Sequence, residues 1–296
     1  MEKLNTILVT LDLEAGSEAV LARAVQLTAE HAARLIVLHV IEKGLLPQTG
    51  SYWDLSESEL RERLERHAVA ALEPLLLENG RVRQTDVRVE FGSAHEVIER
   101  VAREQQADII VLGPGKGHTL KDKVLGSTAD RVIRMSFAPV LVAKGSSSEP
   151  YRRLAVAVDG SAQSARVVTE ALRLAPEADA QLLHAIEIPM TFQQAMLRAG
   201  TSQAEMARYR SARTGKAREE LSAFQREVLG AEKLPVRILD GEAGPALVRF
   251  SKRSRIDLLA LGTHRRGAAM QALLGSVARR VLAEAACDVL VVASAQ

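Results

Sequence analysis

Thr6-Ile7-Leu8-Val9-Thr10-Leu11-Asp12 is an apolar run of strand length that ends in a carboxylate, and Leu154-Ala155-Val156-Ala157-Val158-Asp159 repeats it 147 positions later. Two further pairs keep nearly the same offset. Leu35-Ile36-Val37-Leu38-His39-Val40 matches Gln181-Leu182-Leu183-His184-Ala185, with the histidines 145 apart. Ala107-Asp108-Ile109-Ile110-Val111-Leu112-Gly113 matches Ile256-Asp257-Leu258-Leu259-Ala260-Leu261-Gly262, with the glycines 149 apart. A recurrence of several signals at one offset marks a duplicated unit. Lys144-Gly145-Ser146-Ser147-Ser148-Glu149-Pro150 separates the copies and has the composition of a flexible joint. The expected domains are therefore residues 1–146 and 151–296.

Within each copy, short apolar runs alternate with stretches that carry a helical stripe, such as Leu21, Val25 and Thr28, or Val97, Ile98, Val101 and Ala102. Strands without polar alternation are buried on both faces, so the order βαβα implies a mostly parallel sheet covered by helices on each side. The expected fold class is α/β, with two tandem doubly wound, Rossmann-like domains, each built on a five-stranded sheet. Charged helical segments follow over Ser56 to Asn79 and from Met190 to about Leu229, and read as solvated faces. Each copy closes on an apolar strand, Pro139 to Ala143 and Asp288 to Ala293. An unpaired strand there would leave an exposed sheet edge.

Composition narrows the function. The 296 residues are 47% hydrophobic and 26% charged with 9 prolines, which describes a folded chain. Cys287 stands alone, so no internal disulfide forms and a reducing, cytoplasmic setting is expected. No run of 18 apolar residues is present and no membrane span is expected. A net charge of +2 does not argue for nucleic acid. The stretch through Ser148 has 18 basic and 21 acidic residues and the remainder 21 and 16, so anionic ligands should favour the second half.

In an open parallel sheet ligands sit beyond the carboxyl ends of the strands, where strand order reverses. Asp12 and Asp159 stand there. So do two glycine-bearing loops, Gly113-Pro114-Gly115-Lys116-Gly117-His118 and Gly262-Thr263-His264-Arg265-Arg266-Gly267, which lead to Gly126-Ser127 and Gly275-Ser276. These Gly-Ser pairs read as helix starts, where free N–H groups and the helix dipole attract phosphate. The serines are expected to cap. Glycine lets backbone approach phosphate oxygens closely, and Lys116, Arg265 and Arg266 add positive charge. A strand-end aspartate accepts from a base amine or a ribose hydroxyl, and equally caps the following helix. His39 and His184 lie in apolar strands and read as structural; His118 and His264 sit in the loops. Cys287 reads as a small core residue, and Tyr52 and Trp53 as anchors of a loop or partner. Ser-His-Asp elbows, a Walker lysine motif and a carboxylate pair are all missing, so no fast hydrolysis is expected.

At these residues the chain resembles the universal stress protein family, in its tandem two-domain form. The resemblance is carried by Val156-Ala157-Val158-Asp159-Gly160-Ser161, Leu182-Leu183-His184-Ala185, Leu261-Gly262-Thr263-His264, Leu274-Gly275-Ser276-Val277 and Cys287-Asp288-Val289-Leu290-Val291-Val292. It implies an ATP-binding regulator rather than an enzyme, with a divalent ion such as Mg2+ as companion. It also implies that the two copies pack through their closing strands as an internal pseudo-dimer; a further homodimer is compatible with the sequence. In the nucleotide-binding branch the loop runs Gly, two residues, Gly, nine residues, Gly, then Ser or Thr. The implied second-copy site is Asp159, Ser161, Ala185, Gly262, His264, Arg265, Gly275, Ser276 and Val277. The first copy offers Asp12, Val40, Gly113, Gly115, Lys116, Gly126 and Ser127. Lys116 and Arg265 replace the second loop glycine, and Gly115 restores one only if the loop slips by a residue. Glu14 stands where the other copy has Ser161, so the second copy is expected to hold the better site. The competing expectation is a non-nucleotide interaction module acting through protein partners.

Overall fold

The computed structural model describes residues 2–42, 56–79, 85–115, 125–145, 149–263 and 274–293. The first half forms β1 (Thr6–Leu11), α1 (Ser17–His31), β2 (Arg34–Glu42), α2 (Glu57–Glu78), β3 (Thr85–Gly92), α3 (Ala94–Glu104), β4 (Ile109–Leu112), α4 (Ser127–Met135) and β5 (Val140–Val142). The second forms β6 (Arg153–Ala157), α5 (Ala162–Leu174), β7 (Asp179–Ile186), α6 (Met190–Arg198), α7 (Gln203–Leu229), β8 (Val236–Asp240), α8 (Ala243–Arg253), β9 (Leu258–Gly262), α9 (Ser276–Glu284) and β10 (Asp288–Val292).

The apolar runs are the inner strands. Ile7, Leu8 and Val9 in β1 and Leu258, Leu259 and Ala260 in β9 are completely buried, because helices cover both faces. One face packs Ile7, Val9 and Leu21 with Leu221 and Phe224 of α7, and the other packs Leu8 and Ile98 with Leu247 and Val281. The described strands form a single sheet in the order β3-β2-β1-β4-β5-β10-β9-β6-β7-β8. Every neighbouring pair is parallel except β5 and β10, which run antiparallel with Val142, Leu141 and Val140 opposite Val289, Leu290 and Val291. The two five-stranded sheets are thus halves of one ten-stranded sheet, joined at the strands whose free edges needed cover.

Two elements depart from the sequence reading. The fifth strand of each half, β3 or β8, is no apolar run: Thr85-Asp86-Val87-Arg88-Val89-Glu90 alternates with charge because an edge strand meets solvent. The segment from Met190 divides into α6 and α7. Gly200, at φ +84°, ends the first helix, and Ser202 with Glu205 builds a capping box that starts the second.

A buried polar cluster ties the halves together beside the joint. Asp288 of β10 accepts from Arg23 Nε of α1 at 3.0 Å, Tyr151 Oη at 2.6 Å, and the backbone N–H groups of Lys144 and Gly145 at 2.7 and 2.9 Å. The Arg23 guanidinium also lies 4.1 Å over the Tyr151 ring. Arg23 and Asp288 are 4% and 2% exposed. Nearby, Lys144 Nζ donates to Leu282 O and Ala285 O at the end of α9, and burial lowers its pKa to about 8.

Two predictions follow from this cluster. Arg23→Ala leaves a buried carboxylate without its cation and should lower the unfolding free energy by about 3–5 kcal/mol, read by urea denaturation. The folded state sheds the Lys144 proton before the unfolded chain does, so the burial penalty stands in full below pH 8 and fades as pH rises toward 10.5. Wild-type stability should therefore climb over that window relative to Lys144→Met.

Candidate functional site

Strand order reverses between β6 and β9, and between β1 and β4 in the first half, so a crevice opens beyond the carboxyl ends of each pair. At the first of these lies a cavity of about 840 Å3. That falls within the range of about 300–1,000 Å3 usual for small-molecule sites.

Asp159 and Ser161 follow β6 on one wall, and Ala185 comes from β7. Gly262 ends β9, and Gly275, Ser276 and Val277 begin α9, on the opposite wall. The sequence reading therefore brings seven of its second-copy residues to one cavity. His264 and Arg265, with Arg266, lie outside the described residues, as do Lys116, His118, Tyr52 and Trp53.

The α9 start differs from expectation. Its cap is Gly275, extended at φ −61° and ψ 153°, and Ser276 is already helical, so no side chain caps the helix. The reason is geometric: an N-cap residue must be non-helical to aim its oxygen back at the first turn. The same holds at α4, where Gly126 and not Ser127 is the cap. The first intrahelical bond of α9 runs from Arg279 N to Gly275 O at 2.9 Å. The N–H groups of Ser276, Val277 and Ala278 precede it and point out of the helix start. This end carries the positive pole of the helix dipole.

The loop entrance is closed alike in both halves. Gly275 N donates to Thr263 O, and Gly126 N to Pro114 O, each at 2.9 Å. In the first half Gly115, at φ +91°, presses against Gly126, where an added Cβ would stand 2.7 Å from its Cα. Gly115 thus takes the left-handed conformation beside the position filled by Lys116. In the second half an added Cβ on Gly262 meets only the end of the Gln163 side chain, at 2.7 Å from Nε2.

Asp159 is braced. Its Oδ1 accepts from Ser161 N at 3.0 Å and Ser164 Oγ at 2.7 Å, and Ser161 Oγ caps α5 by accepting from Ser164 N. Asp12 does the same with Glu14 N at 3.1 Å and Ser17 Oγ at 2.9 Å. Each aspartate thus organises a helix start while bordering its crevice. Val40 lies in β2 and Gly113 just beyond β4, flanking the first crevice as Ala185 and Gly262 flank the second. The strand histidines are anchored to backbone, Nδ1 of His39 meeting Leu11 O and Nδ1 of His184 meeting Val158 O, both at 2.8 Å, and His184 also lines the cavity. Cys287 is buried and its thiol pKa is pushed up to about 12, mainly by desolvation. Among the described residues no group of three or more His, Cys, Asp or Glu could hold a metal ion.

Some wall residues escaped the sequence reading. Arg213 and Lys216 of α7 and Gln163 of α5 line the cavity. The α7 charges look like any solvated helix face, and Gln163 stands where the first copy has Gly16, so no repeated signal marks them. No helix among the described residues is long and apolar enough to cross a membrane.

The family model described as the universal stress protein family matches residues 3–144 and, a second time, 150–293. Universal stress protein MJ0577 of Methanocaldococcus jannaschii is 30% identical over 156 residues, covering 48% of this chain and 96% of that protein. A putative universal stress protein structure from Pseudomonas aeruginosa UCBPP-PA14 superposes with a TM-score of 0.67 at 21% identity, over 99% of this chain and 95% of that one. A universal stress protein from Archaeoglobus fulgidus DSM 4304 gives 0.65 at 20%, over 98% of both. These structures share the fold along the whole tandem arrangement.

Gly115→Ala should cost about 1–3 kcal/mol, because the new Cβ meets backbone and the residue sits at positive φ. Gly262→Ala should cost less than about 1 kcal/mol, since only a side-chain end must move. Urea titrations of the two variants check the contrast.

Proposed function

The chain belongs to the universal stress protein family, with two copies of its domain in tandem, and from that membership we propose that the second half binds an adenine nucleotide, ATP with Mg2+, as a regulatory ligand in the cytoplasm. The observation that carries this reading is the shared cavity: a strand-end carboxylate on one wall, and an uncapped helix start with a Cβ-free glycine on the other. Asp159 and the backbone at Ala185 receive the base and ribose. The amides of Ser276, Val277 and Ala278 receive phosphate oxygens, a task suited to N–H groups with no intrahelical acceptor. Gly262, without a Cβ, lets the Gln163 side chain lie against the end of β9 on the floor of the approach. Arg213 supplies a cation at the cavity, while Lys216 shares its charge with Glu220 at 3.9 Å on the same helix. The role is occupancy of a site, with turnover slow, since fixed amides stabilise phosphate charge without activating water.

Calorimetry of the full chain with ATP and Mg2+ should give saturable binding. Gly275→Val keeps an allowed backbone at φ −61° but places a branched side chain at the phosphate path, and should abolish the signal. Asp159→Ala should weaken binding about tenfold, or 1.4 kcal/mol. It also removes an acceptor at the α5 start, so a melting curve must accompany it, with a loss of about 0.5–2 kcal/mol expected. No saturable heat at millimolar ATP and Mg2+ would sink the proposal and leave the interaction-module reading.

A further inference from the structure

The end of the sheet at β8 is built differently from the end at β3. Edge strands invite pairing with another chain, and proteins usually guard them with charge. At β3 the charges are satisfied internally: Asp86 is held by Arg34 and Arg88 at 2.8 and 2.9 Å, and Glu90 by Arg100 at 3.2 Å. At β8 the balance is basic: three arginines against one carboxylate, Asp240, border a groove. Arg237 of β8 and Arg249 and Arg253 of α8 are exposed and line a depression of about 320 Å3 beside the strand, floored by Leu239, Ala246 and Phe250. Among the described residues none of the three arginines has a carboxylate oxygen within 4.0 Å. Arg237 instead stacks over the Phe250 ring at 5.4 Å, which holds the guanidinium in place.

The backbone beside that groove is open. Pro235 O accepts from Leu182 N at 2.8 Å and Gly241 N donates to Ile186 O at 2.9 Å, so the odd-numbered residues of β8 face β7. In a parallel ladder the alternate residues turn their polar groups the other way, so Val236 and Ile238 present N–H and C=O outward. Arg249 Nη2 donates to Asp240 O at 3.3 Å and closes the far end. The faces flanking the edge differ in chemistry. On the α8 side stand the arginines; on the α7 side Val236 and Ile238 pack with Val228 and Leu234 as partly buried apolar surface.

We propose that the outer edge of β8 and its arginine-lined groove form a strand-addition site for an extended peptide whose residues alternate acidic and apolar. Main-chain bonds to Val236 and Ile238 supply pairing, and the two-residue period of a strand sends acidic side chains to Arg237, Arg249 and Arg253 and apolar ones to the α7 side.

The test uses the full chain and a fluorescein-labelled octapeptide of alternating Glu and Val, with alternating Lys and Val as control. Anisotropy should show saturable binding of the acidic peptide alone, weakening with added salt. Arg237→Glu with Arg253→Glu should weaken it at least tenfold. Ile238→Pro removes an outward N–H that an edge strand can spare, and should weaken it at least fivefold more than Ile238→Ala, which trims the same packing but keeps the N–H. Amide exchange at Val236 and Ile238 should slow when the peptide is bound. Absence of binding, equal binding of the lysine peptide, or retention of affinity in the arginine and proline variants overturns the proposal. So does tighter binding of oligothymidylate at the same groove, or sedimentation showing that the edge is already covered by another copy of this chain.

Discussion

A strand with apolar side chains on both faces and one unpaired flank is intolerable in water, and this chain has two of them. β5 and β10 answer one another. Their antiparallel contact, Val140 to Val142 against Val289 to Val291, turns two half-sheets into one and leaves only β3 and β8 as edges. Everything else is arranged about that seam. α1 and α5 lie over it from their respective halves: Arg173 of α5 reaches across to Asp108 at 2.6 Å, and His31 of α1 meets Leu174 O at 3.1 Å. The crevices fall on either side of the seam, each between a strand that ends in an aspartate and one that ends in a glycine.

Most of this frame was legible in the residues because burial on both faces writes an uninterrupted apolar run, and because the frame is written twice. β1, β2, β4 and β5 and their counterparts were visible for that reason. β3 and β8 were not, since edge strands alternate with charge and look like loops or helix faces. The break between α6 and α7 depends on a single glycine at positive φ, a local event that hydrophobic periodicity does not record. The lining of the candidate cavity was legible where strand ends and a helix start need particular residues, at Asp159, Gly262 and Gly275. It was illegible where side chains arrive from a distant helix, as Arg213 and Lys216 do. The serine caps were misassigned at both final helices because Gly-Ser has the composition of a cap whichever residue carries the non-helical angles.

The duplicated halves keep the same scaffold while their sites have diverged in detail. Both close the loop entrance with the same 2.9 Å bond and brace the aspartate against the following helix. Over the ring of conserved geometry the residues differ: Gly16 against Gln163, Glu14 against Ser161, Gly115 against His264. A fold that repeats backbone and varies the residues lining its crevices can dedicate its halves to separate tasks without altering the sheet.

The cluster around Asp288 makes that division hard to undo. At the repeat offsets, Arg23 corresponds to Glu170 and Asp288 to Pro139, so the cation and the anion that meet across the joint each exist in one copy only. Two first halves would bring together a guanidinium and an imino acid; two second halves would pair carboxylates. The clasp is thus heterotypic, each half supplying the charge that its duplicate lacks, so the halves are fitted to one another and not to copies of themselves.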